Sequence, residues 1–376
     1  MDAASSRMDV DDQPPTKKTC ESIPRSQSAE PCTVAMYYAK QEAFLARNVR
    51  FVDEWLKLAW LRFARGQVNA ARNVLATAFQ HIIFDEKIWL AAIRMEFEVG
   101  EFQRAEALID NAMKSLYSDK LWILALKIKR MRATEKFAMA KKACETFPTS
   151  AKLALLRVNA HRAWGHTGTS RKVFKELEET FSHDPKFVIA HYRFLKETRD
   201  FNATYVLNEA IGRLGWSVDL WLEKADHYAE RFAMVKQAGE RNIVSKTNRL
   251  KAAEIRYCPL SDKTMLISKY LKESYNYSIL YEAAHYNWST GCTARALELV
   301  EAALKENPKY GDGWALWYVI VDAPDNAEMP KVVRLCVEAQ PDEGDVWERV
   351  AEAAENWSMR TEQLLRTVAK ELLKFK

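Results

Sequence analysis

Seven basic side chains fall within residues 127–142: Lys127, Lys129, Arg130, Arg132, Lys136, Lys141 and Lys142, opposed locally only by Glu135. Cations at that density can neutralise phosphates or an acidic protein segment, which makes them a candidate partner or phosphate surface. The plainer reading is a solvated helix face, because seven residues wound around two helices cannot all point one way. An acidic counterpart lies further along: Glu338, Asp342, Glu343, Asp345, Glu348, Glu352 and Glu355. It reads as a docking surface for a basic segment or, again, as a solvated face. His161 and His166 are five apart with Gly165 between them, a poor spacing for holding a metal, and Glu176, Glu178 and Glu179 read as a solvated face rather than an acid–base pair. The sequence has no G-x-G-x-x-G, no G-x-x-x-x-G-K-S/T and no H-E-x-x-H. It also lacks the D-D-x-x-D cluster that a helical prenyl- or terpene-type synthase needs. The expectation is therefore a binding scaffold and not an enzyme, with no cofactor, no metal and no small-molecule substrate.

The elements that would carry these side chains are helices. Glycine and proline number only 11 each in 376 residues, too few for the tight turns of a strand-rich fold. No run of eighteen apolar residues is present, so no membrane-spanning helix and no membrane partner are expected. The N-terminal stretch has no apolar signal core, which argues against secretion. None of the six cysteines forms a C-x-x-C pair, which argues against a zinc site and a disulfide framework. A net charge of +5 is too small and too spread for a dedicated nucleic-acid binder. Residues 1–33 are rich in proline and serine and are expected to be disordered. Within them, Arg25-Ser26-Gln27-Ser28 matches a basophilic kinase tetrad, a pattern common by chance.

Residues 34–376 read as one repeat array. Trp55, Trp89 and Trp122 are 34 and 33 apart; Trp221 follows Trp122 by 99, three steps of 33; Trp314 and Trp347 are again 33 apart. Ala71, Ala105 and Ala138 each follow a tryptophan by 16. Such a period marks stacked helix pairs. The first helix carries a bulky aromatic, a turn often containing glycine follows (Gly66, Gly100), and the second carries alanine where the helices cross. A side chain at the same slot of every unit serves packing, so all six tryptophans are expected in the core rather than stacked on bases. The fold expected is an all-α superhelical solenoid of about nine helix pairs. Prolines are expected to close several units: Pro148, Pro185, Pro259, Pro308 and Pro341. The step from Trp221 to Trp314 is 93 rather than 99, and Trp221 to Pro259 looks lengthened, with the extra residues between Phe232 and Asn248.

Ala71-Arg72 and Ala294-Arg295, with the near variants Ala105-Glu106 and Ser170-Arg171, resemble the second-helix signature of HAT (half-a-TPR) repeats. Ala71 to Met113, and the stretch from Gly344-x-x-Trp347 through Asn356-Trp357 to Leu364-Leu365-Arg366, resemble the C-terminal HAT array of the pre-mRNA-processing factor 6 family. Members of that family are longer, with more repeats ahead of these. The resemblance implies a nuclear scaffold that bridges proteins of the spliceosomal tri-snRNP during pre-mRNA splicing, with RNA contacted mostly indirectly. The alternative is a HAT scaffold in mRNA 3′-end formation or rRNA processing.

Overall fold

A computed structural model describes residues 31–226, 231–241, 247–322 and 328–374. The expected disorder of residues 1–33 and the kinase tetrad thus fall mainly outside the described residues, as do parts of the stretch between Phe232 and Asn248. Among the described residues a lone helix, α1 (Pro31–Arg47), precedes ten helix pairs. These are α2 (Val52–Ala64) with α3 (Val68–His81), α4 (Glu86–Val99) with α5 (Phe102–Ser115), and α6 (Asp119–Ile128) with α7 (Ala133–Thr146). Next come α8 (Ala151–Ala163) with α9 (Thr167–Phe181), α10 (Pro185–Glu197) with α11 (Ala203–Arg213), and α12 (Val218–Ala225) with α13 (Arg231–Arg241). The last four are α14 (Asn248–Tyr257) with α15 (Leu260–Glu273), α16 (Tyr277–Ser289) with α17 (Thr293–Glu306), α18 (Gly311–Val321) with α19 (Met329–Ala339), and α20 (Asp345–Glu352) with α21 (Thr361–Leu373). Among the described residues the single β-type contact is a bridge between Tyr310 and Glu343.

In five of the pairs (α4, α6, α10, α14 and α16) the first helix starts where a short polar side chain satisfies an orphan backbone N–H. Asp85 accepts from Lys87 N at 2.8 Å, and Asp184 accepts from Phe187 N at 3.1 Å with Pro185 at the first helical position. The tryptophan slot then ties the unit to the turn before it. Trp55, Trp89, Trp221 and Trp314 each donate the indole N–H to the carbonyl six residues back, on Val49, Ile83, Gly215 and Pro308, at 2.8–3.0 Å. One side chain thus fills a core and satisfies a turn carbonyl at once. Trp55, Trp221, Trp314 and Trp347 are buried, whereas Trp89 and Trp122 are only partly so and flank the core beneath them.

In five of the pairs the inner turn uses one left-handed residue. Gly66, Gly100, Gly165 and Gly291 supply it, and Arg199 does so in the fifth unit. Beyond that turn, a small residue sits at the crossing: Ala71, Ala105, Ser170 and Ala296, all fully buried. Ala296 follows Leu280 by sixteen, so the buried residue lies one step past the Ala294-Arg295 signature, whose two residues are exposed. Ala138 is exposed as well. The connection from α6 to α7 has four residues, against two or three in the first, second, fourth and eighth pairs, and Ala140 and Ala143 take the crossing in its place.

The count of ten pairs exceeds the nine expected because the apparently lengthened sixth unit holds one and a half. The first helix of the next pair, α14, begins at Asn248, and Pro259 lies inside that pair, between α14 and α15, rather than closing a unit. With α12 and α14 both short, the 93 residues from Trp221 to Trp314 carry three full units.

The superhelix returns upon itself. α19 packs against α2, and the 3-10 turn at Ala354–Asn356 packs against α8. Trp357 is buried in one cluster with Leu126, Leu153 and Leu156 of the third and fourth units. Glu98 in α4 accepts from Thr361 N at 2.9 Å, across 263 residues of chain. The array is a closed ring, not an open arc.

Two stability consequences follow. Trp347 is 1% exposed and its ring lies where a Cβ on Gly311 would sit. Trp347→Ala should therefore cost about 3–5 kcal/mol, and the half-buried Trp89→Ala distinctly less. Equal shifts in a denaturant midpoint would contradict that order. Gly100 has φ +97° and open space around its missing Cβ. Gly100→Ala should thus cost about 1 kcal/mol from backbone conformation alone, which the same titration measures.

Candidate functional site

The seven basic residues do not form one face. Lys129 is ion-paired with Asp110, and the Arg130 guanidinium stacks over the Phe102 ring at 3.9 Å while its backbone N–H donates to Glu106. Arg132 donates its backbone N–H to Glu135. Lys141 and Lys142 are exposed on the outer helix α7, with Lys141 3.9 Å from Glu145. Lys127 and Lys136 instead point inward: the Lys136 ammonium lies 5.2 Å from the centre of the Trp357 ring. Burial, with Lys152 and Arg94 nearby, lowers the Lys127 pKa to about 8 against the opposing pull of Glu352.

The acidic strip turns inward too, and meets cations on the first helices of the units. Glu348 is 3.0 Å from Lys186 of α10. Asp345 bridges Arg249 at 2.8 Å and Arg256 at 3.2 Å, both on α14. Burial opposes ionisation of Asp345, but the two guanidiniums hold its carboxyl below the usual range. Asp312 accepts from the backbone of Val346 and Trp347 at 3.1 and 2.8 Å, fixing the start of α20. Burial and the nearby Asp345 push its carboxyl up to about 7. Glu98 is likewise pushed up by burial, while Thr361 and Arg360 pull it down. A small cleft at this seam is lined by Phe63, Glu98, Val337, Arg360, Gln363 and Arg366.

One feature of the outer rim had a sequence signal that the tryptophan slot overshadowed. Phe51, Phe84, Tyr117 and Trp216 are all more than half exposed, and they keep the repeat period: two steps of 33, then 99. Each lies at the turn ahead of a first helix, where it can staple onto that helix without being covered. Charges beside them are balanced between units, as in Lys87 with Asp53 at 2.9 Å and Lys120 with Glu86 at 3.5 Å. His161 stacks on Phe137 at 4.3 Å and His166 lies 6.3 Å away, ring to ring. Among the described residues no group of histidine, cysteine and carboxylate side chains could hold a metal, and no helix is long and apolar enough to cross a membrane.

The arrangement defines a helical-repeat protein with an aromatic outer rim and a charged, self-occupied interior. No family model matches the chain, and no curated protein does. Among solved structures it is similar to the crystal structure of the APC/C hetero-tetramer Cut9–Hcn1, at 10% identity and a TM-score of 0.29, over 89% of this chain and 59% of that one. It is also similar to the structure of Naa15/Naa10 bound to HypK-THB, at 15% identity and a TM-score of 0.35, over 81% of this chain and 50% of that one. The chain thus spans between half and three fifths of the length of these structures. The repeat fold is read from its own helices.

Lys127 gives a pH test. Its folded-state pKa lies below the ordinary 10.5. The folded state therefore carries a penalty at neutral pH, which fades as pH rises from 8 towards 10.5. Lys127→Met should be more stable than the parent at pH 7, with the gap closing by about pH 10. A pH-independent difference in denaturation midpoint would show that the ammonium is not desolvated.

Proposed function

We propose that this chain is a non-catalytic helical-repeat scaffold that holds protein components of a nuclear ribonucleoprotein together, and that the assembly is the spliceosomal tri-snRNP. The observation that carries the scaffold reading is the rim of Phe51, Phe84, Tyr117 and Trp216. It presents one exposed aromatic to each of several units, with balanced charge beside it. Exposed apolar side chains in a repeating row suit protein contacts, whereas a phosphate backbone requires an excess of cations. The tri-snRNP is supported by the resemblance of the stretch from Gly344 to Arg366 to the pre-mRNA-processing factor 6 family. Purification of the tagged full chain from its own cells should enrich U-four, U-five and U-six RNAs. Enrichment of pre-ribosomal RNA alone, or of no RNA, would assign it to the 3′-end or rRNA-processing class of HAT scaffold or to neither.

RNA contact in this reading is indirect. Of the seven clustered cations, Lys129 is paired, Arg130 is stacked, and Lys127 and Lys136 face inward. Too few remain to build the six to ten phosphate contacts that lose about 10³–10⁵ in affinity between 50 and 200 mM salt. Reversing Lys129, Arg130 and Arg132 to Glu should leave bare RNA binding weak and nearly unchanged while altering partner capture. Sub-micromolar binding of wild type to short RNA at physiological salt, abolished in the triple variant, would contradict this.

A further inference from the structure

The interior of the ring is a basic groove with an acidic helix lying in it. Its wall is made by the first helices α4, α6, α10 and α14, which present Arg94, Lys127, Lys186, Arg249 and Arg256 inward, with Asp219 of α12 beside Arg249 at 2.6 Å. Opposite them, in order, lie Asp342, Glu352, Glu348 and Asp345. An apolar peg completes the fit: the Trp357 side chain enters the cluster of Leu126, Leu153 and Leu156, under the Lys136 ammonium. At its two flanks, Asn159 Nδ2 donates to the Glu352 carbonyl at 3.3 Å, and Glu98 caps the first N–H of α21. Every one of these contacts joins parts of the chain far apart in sequence, and none is needed to build a helix pair.

We propose that this groove is a docking site for an acidic, tryptophan-bearing helical segment of a protein partner, and that α20 through the start of α21 occupies it in cis. A partner binds by displacing that segment, and the ring opens as it does so. Charge complementarity fixes the partner's chemistry: cations from four of the wall helices face the groove, and the segment now seated on it supplies carboxylates opposite them. The individual ion pairs are partly exposed and each is weak, so no single contact locks the segment in place. The apparent affinity for an outside segment is its intrinsic affinity reduced by the fraction of molecules that are open. This goes beyond the ribonucleoprotein reading and does not depend on it, since the binding measured below is independent of which RNA co-purifies.

The probe is a labelled peptide spanning residues 341–360 of this chain, titrated into the full-length protein and followed by fluorescence anisotropy. Trp357→Ala removes the peg from the chain but leaves it in the peptide, so binding should tighten by about tenfold or more over wild type. Adding Lys186→Glu should reverse most of that gain, and a peptide carrying Glu348→Lys should restore it. Should Trp357→Ala fail to fold, Glu98→Gln with Thr361→Ala releases the other flank and carries the same expectation. Hydrogen exchange on the inner faces of α6 and α8 should rise in the opened proteins, with α16 and α17 still protected. The proposal is overturned if neither opened protein binds the peptide better than wild type, or if a scrambled peptide binds equally well. It is also overturned if exchange does not change. Tighter binding of a single-stranded RNA than of the peptide would assign the wall to nucleic acid instead.

Discussion

A helix pair cannot bury both of its apolar faces, and everything else in this molecule follows from that constraint. Each unit covers the face its predecessor leaves open, through a large side chain on the first helix and a small one on the second. The indole of the tryptophan slot adds a polar link: where its N–H reaches the carbonyl six residues back, it fixes the turn between two units as well as their packing. Charged side chains reinforce the same joints. Arg72, from the Ala-Arg signature of the first pair, grips Glu96 of the next with two 2.7 Å hydrogen bonds, and Arg256 reaches Glu282 at 2.6 Å. Glu96 and Glu282 are buried, so each would be costly without its arginine. Arg72 thus serves a joint between units, whereas Arg256 serves its joint through Glu282 and also reaches Asp345 at 3.2 Å.

An array built this way still has two ends with uncovered faces. At the start, α1 lies over the first pair, with Tyr38 and Leu45 in its core. At the other end the last units turn inward and use the ring's own interior as their cover. The curvature of the stack decides that outcome, because only when α19 comes round to α2 can Trp357 reach Leu126 and Leu153. Apolar burial provides most of the stabilisation at that seam. The carboxylates and cations on either side determine which segment lies there and in what register, since partly exposed pairs contribute little net energy but penalise a mismatch.

The sequence made the repeat legible because its signal is periodic: Trp55, Trp89 and Trp122 announce three units by spacing alone. It was less legible where the slot residue is ordinary. Leu280 and Lys251 occupy the slot in α16 and α14, so the seventh pair was absorbed into its neighbour and Pro259 was misread as a boundary. Ala294-Arg295 matched the signature while the buried residue is Ala296, since packing selects a phase and not a dipeptide. The closure had no periodic signal at all. The basic cluster from Lys127 and the acidic run from Glu338 were each visible, but composition does not say that one end of a chain meets the other.

Sequence separation also orders the events that make the ring. Contacts between neighbouring pairs span a few tens of residues, such as the 24 between Arg72 and Glu96, whereas Glu98 and Thr361 are 263 apart. Loop-closure entropy rises with that separation, and long-range contacts are formed after the local ones that shorten the effective loop. The units must therefore stack before the seam can close, and the seam contributes least to holding any one unit together. Opening it breaks contacts that were made last and leaves each helix pair packed on its neighbours in sequence. In a repeat protein, where stability is a sum of unit and interface terms, a contact of that kind can open below the free energy of global unfolding. The physics that lets a solenoid grow by local addition thus leaves its one non-local contact as the place where the molecule can change shape.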